Sequence, residues 1–278
     1  MISLGASHGL VLVPDGSMWS WGGQDSGWPV LGLGKMNLTA SLVRIGSQTD
    51  WAYVSAGEDH NLVLKSDGTV WAWGANYRGQ LGDGNWGTKL TNGLPNLQDR
   101  PVQTVAGSDW VKVEAGSVAS YGLKRDGSLW AWGRNALMLT GAAHDVCEIP
   151  TQIGHDTDWQ SVCASKGSLG HLLRKRHGTF WRISNPWENN PMPVKDRVAM
   201  PPNIVAWGAG GGAIAAITQD GEIWTCGAVL GQHGPKYRFL QSVEELCWRL
   251  GWKVRWQYDR PRIVREQPWQ LRNVDPGD

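Results

Sequence analysis

One string is written five times along this chain. DGSMWSWG begins at Asp15, DGTVWAWG at Asp67, DGSLWAWG at Asp126, HGTFWRIS at His177 and DGEIWTCG at Asp220. The starts are spaced by 52 (15 to 67), 59 (67 to 126), 51 (126 to 177) and 43 (177 to 220) residues. A catalytic loop has no reason to recur at such a period. A supersecondary unit that cannot bury its apolar face alone does recur, and periods of this length belong to solenoids and propellers.

A second string keeps step with the first. DWAYVSAG (50–57), DWVKVEAG (109–116) and DWQSVCAS (158–165) each precede one of the turns. Each unit therefore carries at least three short runs rich in β-branched or aromatic residues and bounded by Gly, Asp or Ser, which is the pattern of strands. In the second unit these are WAYVSAG, HNLVLKS and TVWAWG. The Asp-Gly between the last two predicts a type I′ hairpin turn, since Gly adopts positive φ freely and Asp tolerates it. RPVQTV (100–105), IPTQI (149–153) and RPRIV (260–264) supply a fourth strand. The expected fold is all-β, a β-propeller of four-stranded antiparallel blades with five repeats visible.

Composition agrees with this. The 278 residues are 41% hydrophobic, enough for a substantial core, and the repeats argue for a single domain over 1–278. A net charge of +1 gives no global preference for nucleic acid or membrane. The four cysteines, Cys147, Cys163, Cys226 and Cys247, show no CxxC spacing and point to neither a disulfide framework nor a zinc site. No apolar run reaches membrane-spanning length, and the N-terminus lacks a charged and then apolar leader. The sequence thus reads as soluble, cytoplasmic by default, and without a cofactor or metal.

DGTVWAWGANYRGQLGDG, with AGEDHNLVLKS before it, resembles a repeat of the regulator of chromosome condensation family in its tryptophan-rich bacterial form. The likeness is strong over 50–84, good over 2–34 and 109–133, and eroded over 158–184 and 207–227. It implies a β-propeller, usually of seven blades, and a binding protein, scaffold or inhibitor, rather than an enzyme.

Twelve of the 19 tryptophans hold repeat positions: Trp19, Trp21, Trp71, Trp73, Trp130, Trp132, Trp181 and Trp224 in third strands, and Trp51, Trp110, Trp159 and Trp269 in first strands. Recurrence at fixed register means packing between blades. His8 and His60 hold equivalent positions, filled elsewhere by Ala119, Gly170 and Ala213, so they read as buried hydrogen-bonding residues and not as a metal ring. LGLGKMN (31–37) is no phosphate loop, because Pro29 and Met36 stand where that loop needs Gly and Ser or Thr. The adjacent pairs Glu58-Asp59 and Glu244-Glu245 point apart and read as solvated side chains.

Two segments carry the expected partner contacts. HLLRKRHGTFWR places Arg174, Lys175, Arg176 and Arg182 at the fourth hairpin with no acidic residue among them. The cluster is either a solvated tip or a contact for an anionic partner, whether phosphate backbone or acidic protein. Further on, Val243, Leu246, Cys247 and Leu250 are spaced i, i+3, i+4, i+7, Ser242 with Glu245 forms a capping box and Gly251 follows. This predicts a short helical insertion near 242–250, with Trp248 and Arg249 outward as partner anchors. The C-terminal segment 261–274 is expected to pair with the N-terminal blade and so close the ring. The resulting expectation is a non-enzymatic propeller binding a macromolecular partner, most simply a protein, through its loops. The alternative is a carbohydrate-binding or hydrolytic propeller using exposed tryptophans, to be told apart by whether Trp28, Trp86, Trp187 and Trp207 converge near carboxylates.

Overall fold

The structure, a computed structural model, describes residues 1–23, 27–34, 39–85, 97–134, 146–164, 171–183, 195–198, 200–210, 213–227, 253–257 and 260–264. The chain divides into two compact units, Met1–Ala199 and Met200–Asp278.

In the first unit the strands run in chain order through four antiparallel sheets of four. Repeat 1 comprises β1 (Ile2–Leu4), β2 (His8–Leu12), β3 (Met18–Gly22) and β4 (Thr39–Arg44). Repeat 2 comprises β5 (Trp51–Ala56), β6 (His60–Lys65), β7 (Val70–Ala75) and β8 (Leu97–Val105). Repeat 3 follows with β9 (Trp110–Ala115), β10 (Ala119–Lys124), β11 (Leu129–Arg134) and β12 (Val146–Gln152), and repeat 4 with β13 (Trp159–Cys163), β14 (His171–Lys175), β15 (Phe180–Ile183) and β16 (Lys195–Val198). These are the blades of an all-β propeller, with the repeat of the sequence as the repeat of the structure.

Period-two alternation explains why second strands read as unbroken apolar runs. In HNLVLK, Leu62 and Leu64 join the core shared with repeat 3, while Val63 joins the core shared with repeat 1. A strand buried on both faces needs apolar residues at every position. The cores therefore lie between sheets, each blade serving as the cover of the next.

The hairpin turn differs from the expected type I′. Gly68 has φ +82 but Asp67 does not share it, the Gly68 N–H donates to the Lys65 carbonyl at 3.0 Å, and the Lys65 N–H donates to Thr69 O at 3.1 Å. This is a three-residue loop, a type I turn followed by a left-handed glycine. Asp67 stays at negative φ because its carboxylate is occupied locally, accepting from the Thr69 N–H at 2.9 Å and hydroxyl at 2.7 Å.

The second unit contains a three-stranded sheet, β17 (Ile204–Gly210), β18 (Ala213–Thr218) and β19 (Ile223–Gly227), which is the fifth repeat. Beyond it β20 (Lys253–Gln257) pairs with β21 (Arg260–Val264). RPRIV thus takes a local partner, Gln257 lying opposite Arg260, where the sequence suggested the fourth strand of a blade. A near neighbour costs less loop-closure entropy than a distant one. The helix expected over 242–250, and residues 265–274 of the closing segment, lie outside the described residues.

Candidate functional site

Repeats 2 and 3 each seize the loop of the repeat before them. In repeat 2, the Trp73 indole N–H and the Asn61 side-chain amide both donate to Val30 O, at 2.8 and 2.9 Å, and Asn61 Oδ1 accepts from His8 Nε2 at 2.7 Å. Repeat 3 does the same one blade on. Trp132 Nε1 and Ser120 Oγ donate to Gln80 O, at 3.0 and 2.7 Å, and Ser120 Oγ accepts from His60 Nε2 at 2.9 Å. Both histidines are therefore structural donors, as their register implied, with the proton on Nε2 dictated by the acceptor. The relay stops between repeats 3 and 4, where Ala119 of repeat 3 replaces the histidine and His171 of repeat 4 packs on Tyr121 with ring centroids 4.3 Å apart. Burial holds the His171 imidazole down at about 4, so this contact is a neutral one.

This anchoring presents the loop after β7. Asn76, fully buried, donates to Asp83 Oδ1 at 2.9 Å and to Asn85 O at 2.8 Å, and its Oδ1 accepts from the Leu81 N–H at 3.0 Å. Gly82 is required at its position because an added Cβ would lie 2.8 Å from Trp132 Nε1. The rigid loop carries Tyr77 and Arg78 half-exposed. Tyr77 stacks on Trp28 from the preceding repeat, with centroids 5.3 Å apart and planes 23° apart, and the Arg78 guanidinium lies 5.9 Å from the Tyr77 ring centroid.

Two carboxylates complete the cluster. Glu58 and Asp59, in the turn between β5 and β6, are half-buried, not solvated as their adjacency suggested. The Ser117 hydroxyl of repeat 3 donates to Glu58, and the Glu58 N–H donates to Gly116 O at 3.1 Å. Burial, and then the Asp59 and Glu58 charges, hold the Tyr77 phenol above its ordinary value, so it remains a hydrogen-bond donor. The assembly thus joins Trp28 of repeat 1 to Tyr77, Arg78 and two acids of repeat 2, with Arg134 of repeat 3 near enough to act on the Tyr77 phenol.

Burial first, and the neighbouring Glu58 second, push the Asp59 carboxyl up to about 6 from 3.8. An unfolded chain releases that proton near the ordinary value, so between about pH 4 and about pH 6 the unfolded state binds fewer protons and stability falls as pH rises. Asp59→Asn has no proton to lose. It is expected to melt above the wild type at about pH 7 and to match it at about pH 4, as followed by calorimetry.

The basic hairpin of repeat 4 is largely engaged within the fold. Lys175 Nζ lies 3.1 Å from Asp156 and 2.9 Å from Asp158, and 4.9 and 5.7 Å from the ring centroids of Trp159 and Trp181. Two other repeats build the same clamp, Lys65 with Asp50, Trp51 and Trp71, and Lys124 with Asp109, Trp110 and Trp130. Arg174 lies over Phe180 at 5.4 Å, whereas Arg176 is exposed. The acids that balance this cluster come from the segment leading into β13, outside the basic hairpin itself. Trp248 and Arg249 lie outside the described residues, as do Trp86 and Trp187 and the side chain of Arg182, while Trp207 is half-buried in β17.

The regulator of chromosome condensation (RCC1) repeat profile matches residues 51–80 and, in a second form, 67–121. A Danio rerio protein RCC2 homolog is 26% identical over 219 residues, which is 78% of this chain and 38% of that protein. The chain therefore spans well under half of that relative. Among solved structures, human WBSCR16 superposes with a TM-score of 0.63 at 19% identity, covering 95% of this chain and 66% of that one. Yeast RCC1 (Prp20), solved with Kap60 bound, gives 0.59 at 17% identity, covering 82% and 69%. At these identities the structural likeness carries the propeller fold, and residues 51–121 carry the match to the regulator of chromosome condensation (RCC1) repeat.

Proposed function

We propose that this chain is a non-enzymatic, protein-binding propeller that docks its partner on the loop face carrying Trp28, Tyr77, Arg78, Glu58 and Asp59. The observation that carries this reading is the stacked Trp28–Tyr77 pair, held half-exposed by loops from two repeats with Arg78 beside it. Trp, Tyr and Arg dominate the energetics of protein interfaces, and a platform ordered in advance avoids part of the entropy cost of binding. Two solved structures of one similar yeast protein point the same way for that protein: it was captured with Kap60, and its binding to Gsp1p and histones was studied. The acidic pair beside Arg78 and Arg134 favours a partner of mixed charge over a phosphate backbone. Arg176, Trp248 and Arg249 belong to the same proposal as outlying contacts, with Arg174 and Lys175 holding the hairpin in shape.

The test is quantitative affinity capture from the native host with three baits of equal stability: wild type, Tyr77→Ala/Arg78→Ala, and Arg176→Ala/Trp248→Ala. A partner recovered by the wild type is expected to fall at least about tenfold with the Tyr77/Arg78 bait, the loss expected when a hot-spot contact is truncated. Undiminished recovery with that bait would remove the loop face from the account.

A further inference from the structure

In three repeats a lysine covers the outer tryptophan, and in the fifth the tryptophan remains without it. Counted from the turn, Thr218 stands where repeats 2, 3 and 4 have Lys65, Lys124 and Lys175. Ile204 replaces Trp51, Trp110 and Trp159, and Asn203 replaces Asp50, Asp109 and Asp158. The backbone frame is nevertheless the same. Gln219 N–H donates to Asn203 O at 2.9 Å, as Ser66 does to Asp50 O, Arg125 to Asp109 O and Arg176 to Asp158 O. Trp224 pairs with Ala216 at the register where Trp71 pairs with Val63. With its cover gone, Trp224 is 49% exposed, whereas Trp71, Trp130 and Trp181 are half-buried.

The same repeat gains a charge beside the opened ring. In four repeats the outer indole N–H donates to a hydroxyl two residues earlier, on Ser17, Thr69, Ser128 or Thr179. Trp224 donates to a carboxylate instead, Glu222 Oε2 at 3.3 Å. Asp220 adds a second carboxylate, accepting from the Thr218 hydroxyl. Trp224, Glu222 and Asp220 face Pro201, Pro202 and Asn203 across an open groove. The outer ring and the backbone frame of the clamp are kept, Glu222 supplies an acid from another position in place of the lost aspartate, and the ammonium is missing.

We infer that this groove takes the side chain of a lysine presented by a protein partner, with its ammonium over the Trp224 ring and against Glu222 and Asp220. The chain itself supplies the precedent for the occupant. Where a lysine is built in, its nitrogen lies 4.5 to 5.7 Å from the outer tryptophan centroid and within 3.2 Å of a carboxylate. An ammonium near an aromatic face and an anion satisfies both attractions at once. A saccharide would also stack on an open indole and donate hydroxyls to the acids, but the added charge of Glu222, where the other four repeats keep a hydroxyl, favours a cation. This site shares no residue with the loop face and does not depend on that reading.

The test uses the full chain labelled with 15N at the tryptophan indoles, the Trp224 signal being identified by its loss in Trp224→Phe. N-acetyl-lysine methylamide is titrated, with N-acetyl-norleucine methylamide and cellobiose as uncharged probes. The lysine derivative alone is expected to move the Trp224 signal, and Glu222→Gln to weaken its apparent affinity about fivefold. Thr218→Lys rebuilds the internal clamp, so its Trp224 signal is expected to be displaced from the outset and to ignore the probe. A Trp224 signal that follows cellobiose or norleucine as well as lysine, or follows none of them, overturns the inference. Because Tyr77 and Arg78 are untouched in these variants, either result leaves the capture experiment on the loop face intact.

Discussion

Trp73→Ala is expected to lower the unfolding free energy by roughly 3–5 kcal/mol, the range for truncating a fully buried aromatic. Trp73 is 0% exposed, and its ring lies between the sheets of repeats 1 and 2 among Leu10, Met18, Ile45 and Val63. Its indole N–H shares Val30 O with Asn61, so the variant also loosens the loop that joins the two repeats. Trp71, two residues away, is half-buried and pairs edge-on with Trp51 at 5.8 Å beneath Lys65. Trp71→Ala removes an edge pair and a cation–π contact at a partly wet site, which together are worth about 1–2 kcal/mol. Denaturant melts of the two variants separate the roles, and equal losses would show that the second tryptophan of each WxW is not the one that joins the blades.

That division of labour marks the limit of what the sequence discloses. Fixed register identifies both tryptophans as structural, but not that Trp73 and Trp132 lock neighbouring repeats while Trp71 and Trp130 hold a lysine at the outer side. The clamp is invisible in a hairpin read alone, because Asp50, Asp109 and Asp158 stand just before the first strand of each repeat. For the same reason the basic run Arg174 to Arg176 looked uncompensated. Glu58 and Asp59 looked solvated because adjacent residues on a strand diverge, yet they sit in a turn packed against the next repeat, where burial replaces divergence as the governing effect. A repeat comparison would have found one signal missed: of the five positions aligned with Thr69, Glu222 alone is acidic. Most repeat strands were legible since both the period-two pattern and its bounding turns are local, but β4, β16 and β20, which lack the repeated strings, were not. The turn type was not, because Asp-Gly permits a type I turn with a left-handed glycine as readily as a type I′ turn.

Gly74→Ala is expected to cost roughly 3 kcal/mol or more, although it adds one methyl group. Gly74 ends the β7 stretch of VWAWG at φ +104, where a side chain carries a left-handed penalty of about 1–2 kcal/mol. An added Cβ would lie 2.4 Å from the Asp59 carbonyl and 2.8 Å from the His60 Cα. Both are backbone atoms of a turn held by the Ala75 N–H, which donates to Asp59 O at 2.8 Å, so relief requires moving the chain, at a further 1–3 kcal/mol or so. The same approach recurs at Gly22 against Ser7 and at Gly133 against Val118, so it belongs to the architecture and not to one loop. Gly178 supplies the control. Its φ is +87, but an added Cβ would meet nothing within 4 Å, so Gly178→Ala carries the left-handed penalty alone. The difference between the two variants in denaturant melts therefore measures the close approach of β7 to the turn that holds Glu58 and Asp59. A difference near zero would mean that the turn yields freely, and a turn that yields could not hold those carboxylates beside Tyr77 for a partner.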